Sequence, residues 1–186
     1  MVHLGSLWLP IVISSILVFI TSSIIHMVLK YHHRDYTKLP NEDAVRAAIR
    51  SGNPAPAQYI IPYCASPKDM QSPEMKQKWI EGPVAVVNLL RPGVPAMGKS
   101  LTQWFVLILI VSLFIAQVAA HCLPPGARYL DVFRIVATVG FLAYAAGQFP
   151  AAIWMGKPWK VAWKEAFDGL LYGLVTAGTF GWLWPR

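Results

Sequence analysis

The sequence predicts an all-α integral membrane protein: four transmembrane helices, with a roughly 70-residue cytoplasmic insertion holding short helices and two short strands. Three observations carry that class. The 186 residues are 55% hydrophobic and only 13% charged, against about 25% charged in an ordinary soluble protein, so a water-facing surface is hard to build. Four apolar stretches, Leu7 to Leu29, Leu101 to Ala120, Val132 to Ile153 and Glu165 to Trp184, reach the ~20 residues that a hydrocarbon core of ~30 Å requires. The positive charges are one-sided. Ten of the sixteen Lys and Arg lie between Lys30 and Lys99, and Lys157, Lys160 and Lys164 fall between the third and fourth stretches, leaving only Arg128, Arg134 and Arg186 elsewhere.

That distribution puts Lys30 to Lys99 and the Lys157 loop in the cytoplasm and both termini outside. The expected location is a bacterial inner, or plasma, membrane. The net charge of +7 is thereby explained by topology and lipid contact, and no nucleic-acid partner is expected. Cys64 and Cys122 fall on opposite sides in this topology, so no disulfide joins them.

Residues 1–29 form the first span. The run has no basic leader or small-residue cleavage site and is too long for a signal peptide, so it reads as an uncleaved anchor. Trp8 stands at the outer interface, Pro10 sits in the first turns where its missing N–H costs little, and Ser14, Ser15, Ser22 and Ser23 are small packing positions. The insertion, residues 30–99, contains nine of the fifteen prolines and is expected to form a compact cap on the cytoplasmic face. Asn41 caps a helix ending at Gly52, and Ser72-Pro73-Glu74 opens another ending at Gly82. Tyr59 to Ile61 and Val84 to Leu90 read as strands.

Residues 100–186 supply three helices. The second span carries Trp104 inside and His121 outside, and "CLPPGARYLD" makes a tight outer turn. In the third and fourth, Gly140, Ala143 and Gly147 answer Gly169, Gly173, Ala177 and Gly181, small residues that let two helices approach closely as an antiparallel pair. Pro150 ends or kinks the third. Trp8, Trp104, Trp154, Trp159, Trp163, Trp182 and Trp184 all fall near span ends, where indole rings concentrate.

Few residues offer chemistry. "GVPAMGKS", Gly93 to Ser100, matches the phosphate-loop pattern, but its helix becomes a span and Pro95 removes an amide that would face phosphate. Lys99 and Ser100 at that helix start are candidates for a lipid phosphate instead. His26, His32 and His33 suggest metal, and His26 and His33 lie two turns apart, yet metal sites want three or four ligands and helical pairs are usually i, i+4, so neither a metal nor any other cofactor is expected. His26, Gln103, Gln148 and Asp168 all fall about one turn inside the cytoplasmic boundary and form a candidate polar layer with a His/Asp pair. Lys164, four residues before Asp168, is its expected local partner.

There is no catalytic triad, carboxylate pair or dinucleotide motif, so an enzyme is not the first expectation. The leading one is a non-catalytic accessory or scaffolding subunit, partnered by lipids and by other membrane subunits or further copies of itself. The alternative is a small transporter or proton-linked carrier using the His/Asp layer. Broken helices or a water-filled cavity at mid-membrane would favour the carrier, and a dry bundle would favour the subunit.

Overall fold

The computed structural model describes residues 2–186 and is mostly helical, with a single pair of short strands among the described residues. Leu4–Leu7 forms a 3-10 turn, capped by His3, whose Nδ1 accepts from the Gly5 amide at 3.1 Å. It continues into α1 (Trp8–Ser23), and the helix widens into a π turn at Ile24–Val28. Such turns are uncommon and frequently mark functional positions. Leu29 then leaves the helix with extended backbone, and Lys30–His32 makes a second 3-10 turn.

Two compact units follow from the contacts, Met1–Asp35 with Ala96–Arg186, and Tyr36–Pro95. The Tyr36–Pro95 unit is built from local signals. Helix α2 (Glu42–Ser51) has Glu42 and Asp43 in its first turn and Arg50 in its last, matching the helix dipole at both ends. Strand β1 (Gln58–Ile61) is followed by α3 (Pro67–Gln71) and α4 (Pro73–Glu81). Both helices start with a serine cap and a proline: Ser66 Oγ accepts from Asp69 N at 3.3 Å and Ser72 Oγ from Met75 N at 3.2 Å. Gly82 stops α4 at φ +65°, a backbone conformation that favours glycine. Strand β2 (Ala85–Asn88) pairs antiparallel with β1, Gln58 opposite Asn88 and Ile61 opposite Ala85. No described residue of this unit is fully buried, so it has no core of its own.

The other unit is a bundle. Helix α5 (Met97–Cys122) antiparallels α1, since Val2 N bonds Ala120 O at 3.2 Å at one end and Trp104 Nε1 donates to Ser22 Oγ at 2.9 Å near the other. Midway, the buried hydroxyls of Ser14 and Ser112 bond at 2.9 Å, a polar clamp between apolar helices. The third span is α6 (Tyr129–Tyr144), a 3-10 turn at Ala146–Gln148, and α7 (Phe149–Trp154). It breaks just before Pro150, which has no N–H to continue the ladder.

Three helical stretches, Leu4–Val28, Met97–Cys122 and Tyr129–Trp154, are long and apolar enough to cross a membrane, which points to a membrane location. The last helix, α8 (Trp159–Trp182), matches them in length with 24 residues. Its glycines, threonines, aromatics and Asp168 dilute its apolar content below theirs. It is also the most covered helix, with Ala162, Ala166, Gly169, Tyr172, Gly173, Thr176, Ala177 and Phe180 all buried, so its composition answers to helix neighbours.

Helices α6 and α8 run antiparallel in backbone contact. A Cβ on Gly140 would sit 2.9 Å from the Gly173 Cα, one on Gly169 would sit 2.5 Å from the Tyr144 carbonyl oxygen, and one on Gly181 would meet the Tyr129 ring at 2.7 Å. The expected α6 face is corrected by this geometry. Gly140 belongs to it, but Ala143 and Gly147 are exposed, and a Cβ on Gly147 would meet nothing within 4 Å. The contacting stripe is Val132, Val136, Gly140 and Tyr144, all buried at strict i+4 spacing.

Candidate functional site

The functional geometry gathers at one end of the bundle, where the π turn of α1, the start of α5, the break after α6 and the start of α8 meet. The extended Leu29 and the turn behind it bring Tyr31 and His32 back against α8, whose Lys164, Asp168 and Tyr172 share one face at i+4 steps. Asp168, 2% exposed, is held by two groups from this returning segment. The Tyr31 hydroxyl donates to its Oδ1, and His32 Nε2 lies 2.8 Å from its Oδ2.

His32 uses its second nitrogen as well, Nδ1 lying 2.6 Å from Asp35 Oδ2. Asp35 Oδ1 in turn accepts from Lys164, whose Nζ also donates to the Tyr31 carbonyl at 2.6 Å. The result is a closed ring: Asp168, His32, Asp35, Lys164, Tyr31. Lys164 therefore pairs with Asp35, not with Asp168 as spacing along the helix suggested. Burial pushes the Asp35 carboxyl up, but the hydrogen bonds and charges of Lys164 and His32 together outweigh it and hold Asp35 below the usual carboxylate range. Burial, followed by the bond to Asp168, raises the Tyr31 phenol, so it stays a hydrogen-bond donor.

An imidazole with one N–H can donate to only one of these two carboxylates, whereas one with both nitrogens protonated donates to both. His32 thus joins Asp35 and Asp168 through its two ring nitrogens. His26 approaches the same place. Its ring lies tilted against His32 with centroids 4.8 Å apart, its Nε2 is 3.5 Å from the Tyr172 hydroxyl, and one donor atom each from His26, His32 and Asp168 falls within 4.8 Å of the other two.

Beside this cluster opens a cavity of about 680 Å³. Its walls are largely apolar, with Leu101, Leu107 and Val111 among them, and its polar lining includes His26, Gln148, Asp168 and Tyr172. Tyr144 also lines it, and its hydroxyl is buried with no hydrogen-bond partner, a condition native structures seldom leave unanswered.

Of the expected polar layer, His26, Gln148 and Asp168 face one cavity, whereas Gln103 is exposed and takes no part in the lining; its neighbour Trp104 does. Lys99 and Ser100 lie exposed in the first turn of α5. His33 is exposed and outside the cluster, so the partner of His26 is His32. Sequence reasoning also missed Tyr31 and Asp35. Their only local mark was the i, i+3 spacing of His32 and Asp35, which a turn can close.

The chain matches no protein-family model, and neither a curated protein nor a solved structure shows significant similarity to it. Function is therefore argued from the chemistry of the site itself.

Proposed function

We propose that the protein is a small membrane carrier for an apolar molecule with one hydrogen-bonding end. The observation that carries this reading is the cavity: about 680 Å³ lies within the ~300–1,000 Å³ of small-molecule sites, which join apolar walls to a few convergent polar groups. Tyr172, Gln148 and the His26/Asp168 end supply those groups. The cavity is flanked by the π turn at Ile24–Val28 and the break at Ala146–Gln148. Interrupted helices around a site are characteristic of carriers, because they can change shape without unpacking a whole span.

In this reading α8 is the fourth span, both termini are outside, and Tyr36–Pro95 is on the cytoplasmic side of a bacterial inner membrane. The Lys and Arg distribution supports that orientation. A membrane-impermeant thiol reagent applied to intact cells should modify Cys122 and spare Cys64; the reverse pattern inverts the topology. The accessory-subunit reading drew on small-residue faces available to partners. Gly140, Gly169 and Gly173 are already in contact with each other's helices within one chain, so they no longer speak for a partner.

The test is photolabelling of the purified protein in nanodiscs with a diazirine-bearing medium-chain alcohol. Saturable labelling of Met97, Trp104 or Tyr144, abolished by Ala143→Phe, is expected. Labelling confined to lipid-facing residues such as Phe114, and unchanged by Ala143→Phe, would sink the carrier proposal.

A further inference from the structure

We infer that His26, His32 and Asp168 hold a divalent transition-metal ion at the polar end of the cavity. Two imidazoles and a carboxylate are the donor set that zinc and ferrous iron share, and they select against calcium and magnesium, which prefer oxygen ligands throughout. Bonds of about 2.0–2.2 Å to one ion place donor atoms roughly 3–3.5 Å apart. The His32 and Asp168 donors are at 2.8 Å and the full set lies within 4.8 Å, so His26 has to advance by about 1–2 Å to complete the site. It stands in the π turn at the end of α1 and is exposed, where a rotamer change is cheap.

The groups behind these ligands argue for the same conclusion. A histidine that binds metal through one nitrogen generally gives the other N–H to a carboxylate, which fixes its tautomer and orientation. Asp35 does this for His32 Nδ1, and Lys164 holds Asp35 in place. Tyr31 donates to the Asp168 oxygen that the ion would leave free. Each of those two ligands is thus oriented from outside.

Charge points the same way. Two carboxylates, Asp35 and Asp168, lie against His32 at 2.6 and 2.8 Å while a single lysine, Lys164, is paired with Asp35, an excess of acidic groups that suits a cation. His26, whose Nε2 lies 3.5 Å from the Tyr172 hydroxyl, is the third donor beside them. Three protein ligands leave a coordination position open toward the cavity, near Tyr172.

This inference does not rest on the carrier reading. The test uses the full chain in detergent, stripped by chelator and titrated with cobalt(II), whose visible d–d bands report bound geometry, with zinc competition and elemental analysis alongside. We expect one ion per chain. His26→Ala should remove the bands while leaving the ring of Asp35, Lys164, Tyr31, His32 and Asp168 and the thermal stability of the apoprotein unchanged. Asp35→Asn should weaken binding by about 10–100-fold, as loss of an outer partner does. His33→Ala should have no effect. A wild-type protein that takes up no cobalt or zinc overturns the site, as does His26→Ala binding as the wild type does. Cobalt binding without cavity photolabelling sinks the carrier alone, and photolabelling without cobalt binding sinks the metal site alone.

Discussion

In the bundle the decisive positions are those where side chains are missing: Gly169 lets α8 touch the Tyr144 carbonyl, and Gly140 and Gly173 let backbone meet backbone. In the Tyr36–Pro95 unit the decisive positions are caps and stops, such as Ser66, Ser72 and Gly82. The bundle buries Phe180, Ile108, Val18 and Val136 completely, whereas no described residue of the other unit is buried. One region is held by close packing between distant segments, so a single methyl group is felt. The other is held by many local contributions of ~1 kcal/mol, none of which dominates.

The largest effect should therefore come from Gly169→Leu. Even its Cβ would lie 2.5 Å from a backbone oxygen, with backbone unable to yield cheaply. A loss at the upper end for single substitutions, about 4–5 kcal/mol, is expected, read as loss of the folded fraction in detergent melts. Gly147→Leu, with open space around it, should melt close to the wild type. Equal losses at the two glycines would break the packing argument.

Ser72→Ala should act on an intermediate scale, costing about 1 kcal/mol through loss of the cap on the Met75 amide. Hydrogen exchange on the full chain should show faster exchange confined to α4. If exchange instead rises across the whole unit, the unit is cooperative and not a collection of local signals. At the small end stands Glu74 with Lys78, an exposed i, i+4 pair at 2.7 Å. Glu74→Gln should leave α4 exchange within experimental error, and a clear acceleration would mean that surface charge matters more here than packing physics allows.

The same contrast governs what could be read from the chain alone. Apolar length gave three spans, and the Ser72 cap and Gly82 gave α4 to within a residue of its ends; α2 begins after Asn41 as expected, but that side chain makes no cap hydrogen bond. Helix α3 was missed although Ser66-Pro67 carries the same start signal as Ser72-Pro73, because five residues leave no periodicity to notice. The α6 face was misassigned since glycine and alanine report small size but not direction. Only the i+4 run through Val132, Val136, Gly140 and Tyr144 fixes the contact side. In the site, His26, Gln148 and Asp168 were placed by depth, which is a one-dimensional argument. The returning Tyr31–Asp35 segment was not, because its partners lie well over 100 positions away in sequence. Local spacing offered Lys164 to Asp168 and His33 to His26, and the fold chose otherwise.

Docking of Tyr31–Asp35 on α8 is what completes the polar end of the cavity. A double-mutant cycle on Asp35→Asn and Lys164→Met, read as unfolding free energy in detergent, measures that contact directly. Groups this close and this shielded, Asp35 8% and Lys164 20% exposed at the side chain, should show a coupling of roughly 1–2 kcal/mol. Strict additivity of the two substitutions would contradict the account, since Asp35 and Lys164 would then not hold the returning segment against α8.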